Sequence, residues 1–181
     1  MNLPNKISLF RISLVPLLVI SFSLMAYPHN YVVSLFIFVM GTISDVLDGY
    51  IARRDGLITV FGKFIDPIAD KLLVNTALLL LTVNGDIHYV AFLLMLWRDM
   101  IVDGIRMVAA SQNQVIAASL YGKLKTILQM TAIILLLLRN WPFHLFNFPM
   151  SKIVLWLAVL TSIASGFDYL VKSKDVWYKT K

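Results

Sequence analysis

Long apolar runs alternate with short polar breaks along the whole chain. Apolar residues fill 12–27, 31–52, 64–83, 89–110, 123 to about 138 and 151–171. A helix needs roughly 20 such residues to cross a bilayer core, so the pattern predicts six transmembrane helices and an all-α fold. Before the first run, MNLPNKISLFRI places Pro4 and Asn5 at a turn or cap, and Lys6 and Arg11 flank Ile7, Leu9 and Phe10. That spacing predicts a short amphipathic helix lying at the interface ahead of the first span. No small-x-small site follows the first run, which argues against a cleaved signal peptide. The chain shows no repeat and no linker, and its 181 residues suit a single membrane domain over 1–181.

Composition agrees, with 59% hydrophobic residues and a mean hydropathy of +0.80. The net charge of +6 comes from 16 Lys and Arg against 10 acids, and every acid is aspartate, a bias that nothing in the sequence explains. Six spans put both termini on one side of the membrane. Of the basic residues, only Arg139 and Lys152 then fall on the far side and 14 on the near side. The near side is therefore expected to be cytoplasmic, in a multi-pass protein of the cell membrane. On such a chain basic charge marks topology and anionic lipid rather than nucleic acid. There is no cysteine, hence no disulfide and no thiolate metal site.

The stretch DVLDGYIARRDGLITVFGKFIDPIAD, residues 45–70, interrupts this apolar background. Asp45 and Asp48 are i and i+3, and Asp66 and Asp70 are i and i+4, so on helices each pair leaves one face a turn apart. The polar turn at 53–63 joins the two helices, which puts both pairs at the same membrane side. Four carboxylates aimed into one space need protons or cations to neutralise them. With oxygen the only donor type, a hard divalent cation fits best. Gly49, Ala52 and Gly62 omit side chains where the aspartates and Arg53 project, leaving room for a large ligand near the backbone, and Arg53 brings a planar charge suited to phosphate. Each piece has a plainer explanation. Asp66 before Pro67 reads as a helix N-cap, Asp45 as half of an ion pair with a lysine, and Gly49 with Ala52 as a close-packing face. Together these must account for four acids at a membrane face, where ionisable groups are costly and usually functional.

The fourth span carries WRDMIVDGIR, with Arg98, Asp99, Asp103 and Arg106 close together, and Lys123 and Lys125 open the fifth. These residues read either as internal ion pairs and helix anchors or as a pocket for an anion.

As a pattern, the 26-residue stretch is DxxDGxxAR, eight residues, then GxxxDxxxD. This resembles the signature of the CDP-alcohol phosphatidyltransferases. The opening NLPNKISLFRI, the arginines at 98 and 106, and YGKLKT around Lys123 and Lys125 are similar to the bacterial phosphatidylglycerophosphate synthases within that family. The resemblance implies transfer of a phosphatidyl group from CDP-diacylglycerol to sn-glycerol 3-phosphate, with release of CMP. It implies two Mg²⁺ or Mn²⁺ ions on Asp45, Asp48, Asp66 and Asp70, and nucleotide contacts at Gly49, Ala52, Arg53 and Gly62. It also implies Asp70 as the base for the acceptor hydroxyl, Arg98, Arg106, Lys123 and Lys125 as the acceptor-phosphate site, and a homodimer in membrane lipid. Inositol phosphate, serine or a phosphatidyl lipid are the alternative acceptors. A cation or proton-coupled transporter is the rival from another class. Acids grouped near one face, in a chain without a repeat, argue against it.

Overall fold

The polar breaks carry Pro, Gly and Asn, and the apolar runs between them fold as helices. The computed structural model describes residues 2–56, 59–112 and 119–173. Part of the expected 53–63 turn, the middle of the 111–122 loop and the basic tail from Lys174 lie outside them. The described residues form six α-helices and a short 3₁₀ turn at Phe143–Phe146, with no strand. Four of the helices are long and apolar enough to cross a membrane: α1 (Leu3–Leu24), α2 (His29–Arg54), α5 (Leu120–Leu137) and α6 (Met150–Lys172). In the other two, α3 (Val60–Val83) and α4 (Tyr89–Ser111), charged residues break up the apolar run from inside the helix, Asp66, Asp70 and Lys71 in α3 and Arg98, Asp99, Asp103 and Arg106 in α4.

In place of the expected interfacial helix followed by a separate span, α1 is one continuous helix. Pro4 sits in its first turn, where a missing N–H costs nothing, and no helix breaker separates residues 5 to 15. The segment around Lys6 and Arg11 therefore belongs to the bundle.

The chain divides into two compact units. In the first, residues 1–86 and 136–141, α1 packs along both α2 and α3. The buried positions of α1 are Pro4, Asn5, Ser8, Arg11, Leu14, Leu18 and Ser21, and those of α2 include Ser34, Phe38, Gly41, Ser44 and Asp48. Both sets recur every three or four residues, as one face of a helix does. Small polar side chains let the helices approach, and Ser21 and Ser34 share a 2.6 Å hydrogen bond across the contact. A Cβ on Gly41 would overlap the Leu73 side chain, so glycine admits α3 there.

At the end of this unit away from the aspartate pairs, Tyr31 donates to Asp86 at 2.5 Å and Arg139 pairs with the same carboxylate at 2.8 Å. The guanidinium lies 5.0 Å from the Tyr31 ring centre and 5.7 Å from that of Tyr27. Partial burial works against the Arg139 charge, yet Asp86 and the tyrosines outweigh it and hold the group above its ordinary value.

In the second unit, residues 87–135 and 142–181, α4 packs on α6. Ala91, Met95, Val102, Ile105 and Ala109 of α4 and Val154, Leu155, Ala158, Val159 and Ser162 of α6 are buried there.

Because Asp86 accepts from both Tyr31 and Arg139, Asp86→Ala is expected to lower unfolding stability in detergent by about 1–3 kcal/mol. The exposed Asp168–Lys172 pair is the control, and Lys172→Ala is expected to cost about 0.5 kcal/mol or less. Equal losses in a denaturant titration would contradict the role given to Asp86.

Candidate metal and nucleotide site

The site is assembled where α2 ends and α3 begins, with the first turns of α1 lying against both. Thr59 caps α3 by accepting the Gly62 N–H at 2.9 Å, and its hydroxyl donates to Asn5 Oδ1 at 3.0 Å. The helix thus starts before Asp66, which places Asp66 and Pro67 inside α3 and removes the N-cap explanation for that aspartate.

Three carboxylates from two helices converge on α1. Arg11, whose side chain is 0% exposed, places Nη2 at 2.5 Å from Asp48 Oδ2 and Nη1 at 2.8 Å from Asp45 Oδ1. Its Nε donates to Ser44 Oγ at 3.4 Å. Ser8 Oγ lies 2.5 Å from Asp66 Oδ1, 3.3 Å from Asp48 Oδ2 and 3.1 Å from the Pro4 carbonyl. A hydroxyl has one proton to give, so Ser8 serves one of these acceptors at a time, and Asp66 is the nearest. Asp45 pairs with Arg11 rather than with a lysine. Asp70 is one turn beyond Asp66 on α3, partly buried and engaged with the surrounding protein.

The glycines of the signature differ in what they do. A Cβ on Gly62 would stand 2.9 Å from Asn5 Oδ1 and 3.1 Å from Thr59 Oγ1, so the Asn5–Thr59 hydrogen bond between α1 and the start of α3 sits where only glycine leaves it undisturbed. A Cβ on Gly49 would meet only the Arg53 guanidinium, at 3.6 Å, an ordinary contact. The protein itself does not demand glycine at 49, and the open space there suits a ligand beneath the exposed Arg53. Ala52 is half-buried on the same turn.

Among the described residues no three acidic side chains close around one point tightly enough to hold an ion as they stand. The donor set nevertheless fits a hard divalent cation. Its donors are carboxylate oxygens of α2 and α3 with the Ser8 hydroxyl of α1 beside them, and a cationic group, the Arg11 guanidinium, already lies between Asp45 and Asp48.

The basic residues of the second unit form their own network. Asp99 accepts from Arg98 at 2.9 Å and from Lys125 at 2.6 and 2.8 Å. Arg98 also donates to Ser165, and Arg106 donates to the Tyr169 hydroxyl while lying 5.0 Å from its ring centre. The ion-pair reading thus holds for Arg98, whereas Lys125 is not a surface anchor but is buried in a pair with the same Asp99. Arg106 and Lys123 are exposed.

Sequence reasoning gave Asn5 to a turn or cap and Arg11 to an interfacial helix, and it gave Ser8 no role. Their signal is spacing: three polar residues at intervals of three put one polar stripe on an otherwise apolar helix.

The sequence model of a family described as CDP-alcohol phosphatidyltransferase matches residues 1–164. The chain is 38% identical to the CDP-diacylglycerol–glycerol-3-phosphate 3-phosphatidyltransferase of Bacillus subtilis (strain 168), over 95% of each chain. It is 35% identical to the protein of the same name from Rickettsia bellii (strain RML369-C), over 96% of each. To a probable phosphatidylglycerophosphate synthase of Mycobacterium tuberculosis (strain ATCC 25618 / H37Rv) it is 36% identical, over 95% of this chain and 81% of the other.

Placing a methyl group at Gly62 is expected to push the Asn5 side chain of α1 off the Thr59 hydroxyl. Gly62→Ala should cost about 1–3 kcal/mol of stability, the usual penalty of overpacking, and most of the activity. Asn5→Ala in the same chain should restore part of both, read by thermal unfolding beside turnover. A Gly62→Ala protein with unaltered melting and rate would contradict this packing.

Proposed function

This chain belongs to the CDP-alcohol phosphatidyltransferase family, and from that premise we propose that it transfers the phosphatidyl group of CDP-diacylglycerol to sn-glycerol 3-phosphate. The products are phosphatidylglycerophosphate and CMP, which makes the enzyme a step in phospholipid biosynthesis. The carrying observation is the convergence of Asp45, Asp48 and Asp66 from two helices on one buried polar face of α1. The names of relatives that match nearly end to end support the acceptor.

Asp45, Asp48, Asp66 and Asp70 would hold divalent cations, Mg²⁺ or Mn²⁺ and two in number on the family likeness, which supply positive charge to the CDP diphosphate. Gly49 and Ala52 leave the backbone open beside the nucleotide, Gly62 borders it, and Arg53 covers it with a charge suited to phosphate. Asp70 takes the proton of the acceptor hydroxyl as its oxygen forms the new bond to the β-phosphorus. The bond to the CMP oxygen breaks, and CMP leaves with that electron pair. Arg98, Arg106, Lys123 and Lys125 serve the acceptor phosphate. Arg106 and Lys123, exposed on α4 and α5, make the direct contacts, whereas Arg98 and Lys125 are oriented by Asp99.

In the membrane all six helices cross. With 24 residues, α3 is about 36 Å long against a hydrocarbon core of about 30 Å, and α4 with 23 is nearly the same. The distribution of Lys and Arg puts the aspartates and both termini on the cytoplasmic side. The enzyme works as a homodimer in membrane lipid.

Purified protein in detergent is expected to release CMP from CDP-diacylglycerol only when glycerol 3-phosphate and Mg²⁺ or Mn²⁺ are present. Equal release with serine or inositol phosphate would overturn the acceptor, and full turnover in EDTA would remove the metal role. Asp70→Asn keeps the shape but loses the proton acceptor, and transfer is expected to fall by roughly 10²–10⁴ while CDP-diacylglycerol still binds. A near wild-type rate would take the base role from Asp70. Arg106→Ala should raise KM for glycerol 3-phosphate well above any change for CDP-diacylglycerol, as a lost ground-state contact does. Equal effects on both substrates would confine Arg106 to its packing on Tyr169.

A further inference from the structure

Arg11 is a charged residue of this site that no part of the transfer chemistry uses. It carries a full positive charge, its side chain is 0% exposed, and it bridges the two aspartates that open the signature. The two halves of that bridge differ. Nη2 meets Asp48 as a directed hydrogen bond at 2.5 Å. Nη1 lies 2.8 Å from Asp45 but is not aligned for a hydrogen bond with it or with any other acceptor. The Asp45 side chain is 39% exposed, against 5% for Asp48. The Asp45 contact is thus the less directed and the more open to an incoming ion.

From this geometry we infer that Arg11 is the built-in counter-cation of the first aspartate pair: it holds Asp45 and Asp48 together, and a divalent ion competes with it for Asp45. The inference rests on the reading that these aspartates bind a divalent cation. Two effects follow. With Arg11 in place, the converging carboxylates are tolerated before any ion arrives, because like charges brought together out of water need an opposite charge among them. Arg11 also makes the ion bind less tightly than the carboxylates alone would hold it. It acts as a positioning residue and lowers the cation affinity of the aspartate pair.

The test reads ion binding rather than turnover. Full-length protein in detergent, without substrate, is titrated with Mn²⁺ while electron paramagnetic resonance counts the free ion, and melting is followed with and without Mn²⁺. Removing one unit charge roughly 5 Å from a divalent ion, even at the dielectric of water, changes affinity by about an order of magnitude. Arg11→Gln is therefore expected to bind Mn²⁺ about tenfold more tightly than wild type. It should melt lower without the ion and gain more melting temperature from it, since binding to the folded state alone stabilises that state. Arg11→Lys keeps the charge but cannot span both aspartates, and it should bind Mn²⁺ with an affinity between the two. If Arg11→Gln does not fold without the ion, Arg11→Lys decides: tighter binding than wild type supports the inference, and equal or weaker binding overturns it. A folded Arg11→Gln with unchanged or weaker Mn²⁺ affinity overturns it as well and leaves the metal site standing. Failure of all three proteins to bind Mn²⁺ overturns the metal reading itself, and this inference with it.

Discussion

Carboxylates cannot be gathered in an apolar bundle without positive charge among them, and the first unit of this protein is built around that requirement. Arg11 supplies the charge. Buried between Asp45 and Asp48, it lets the end of α2 carry two acids on one face. A buried pair of this kind adds little net stability compared with apolar packing, but losing one partner is costly, by about 3–5 kcal/mol, because the other charge is left alone. The arrangement is therefore better understood as fixing where the acids stand than as strengthening the fold.

The remaining geometry of the site follows from where Arg11 is anchored. Its helix, α1, has to lie against α2 and α3 together, and small residues make that possible. Ser21 and Ser34 bring α1 to α2, Gly62 admits Asn5 at the start of α3, and Ser8 reaches both Asp48 and Asp66. A single face of α1 is thereby polar in its first half, at Asn5, Ser8 and Arg11, and turns apolar at Leu14 and Leu18 before Ser21. The change along that face marks where packing gives way to chemistry. In the second unit Asp99 plays a comparable part with the signs reversed, one acid collecting Arg98 and Lys125.

Much of this was legible in the sequence, for identifiable reasons. Helices of about 20 apolar residues announce themselves by length, and the aspartate pairs by a spacing that puts them on one helical face. What the sequence concealed were relations between segments distant along the chain. Arg11 beside Ile7 and Phe10 has the local look of an interfacial helix, because its partners at 45 and 48 are more than thirty residues away and nothing local names them. The continuity of α1 through Pro16 was hidden as well, since an amphipathic stretch and an apolar run can be one helix or two. The N-cap explanation of Asp66 failed because the true cap, Thr59, lies further upstream than the sequence suggested. At Gly49 and Gly62 the pattern showed two equivalent glycines, and only three-dimensional packing separates the one that makes room for α1 from the one that leaves space open.

The central claim is that the ends of α2 and α3, backed by the polar face of α1, form the place where divalent cations meet the nucleotide. Crystals of the protein grown with Mn²⁺ and CDP-diacylglycerol, measured at the manganese absorption edge, test it most directly. The account predicts anomalous density bounded by carboxylate oxygens of Asp45, Asp48, Asp66 and Asp70. Anomalous density held by other residues, with these four aspartates contacting only protein while nucleotide is bound, would contradict it.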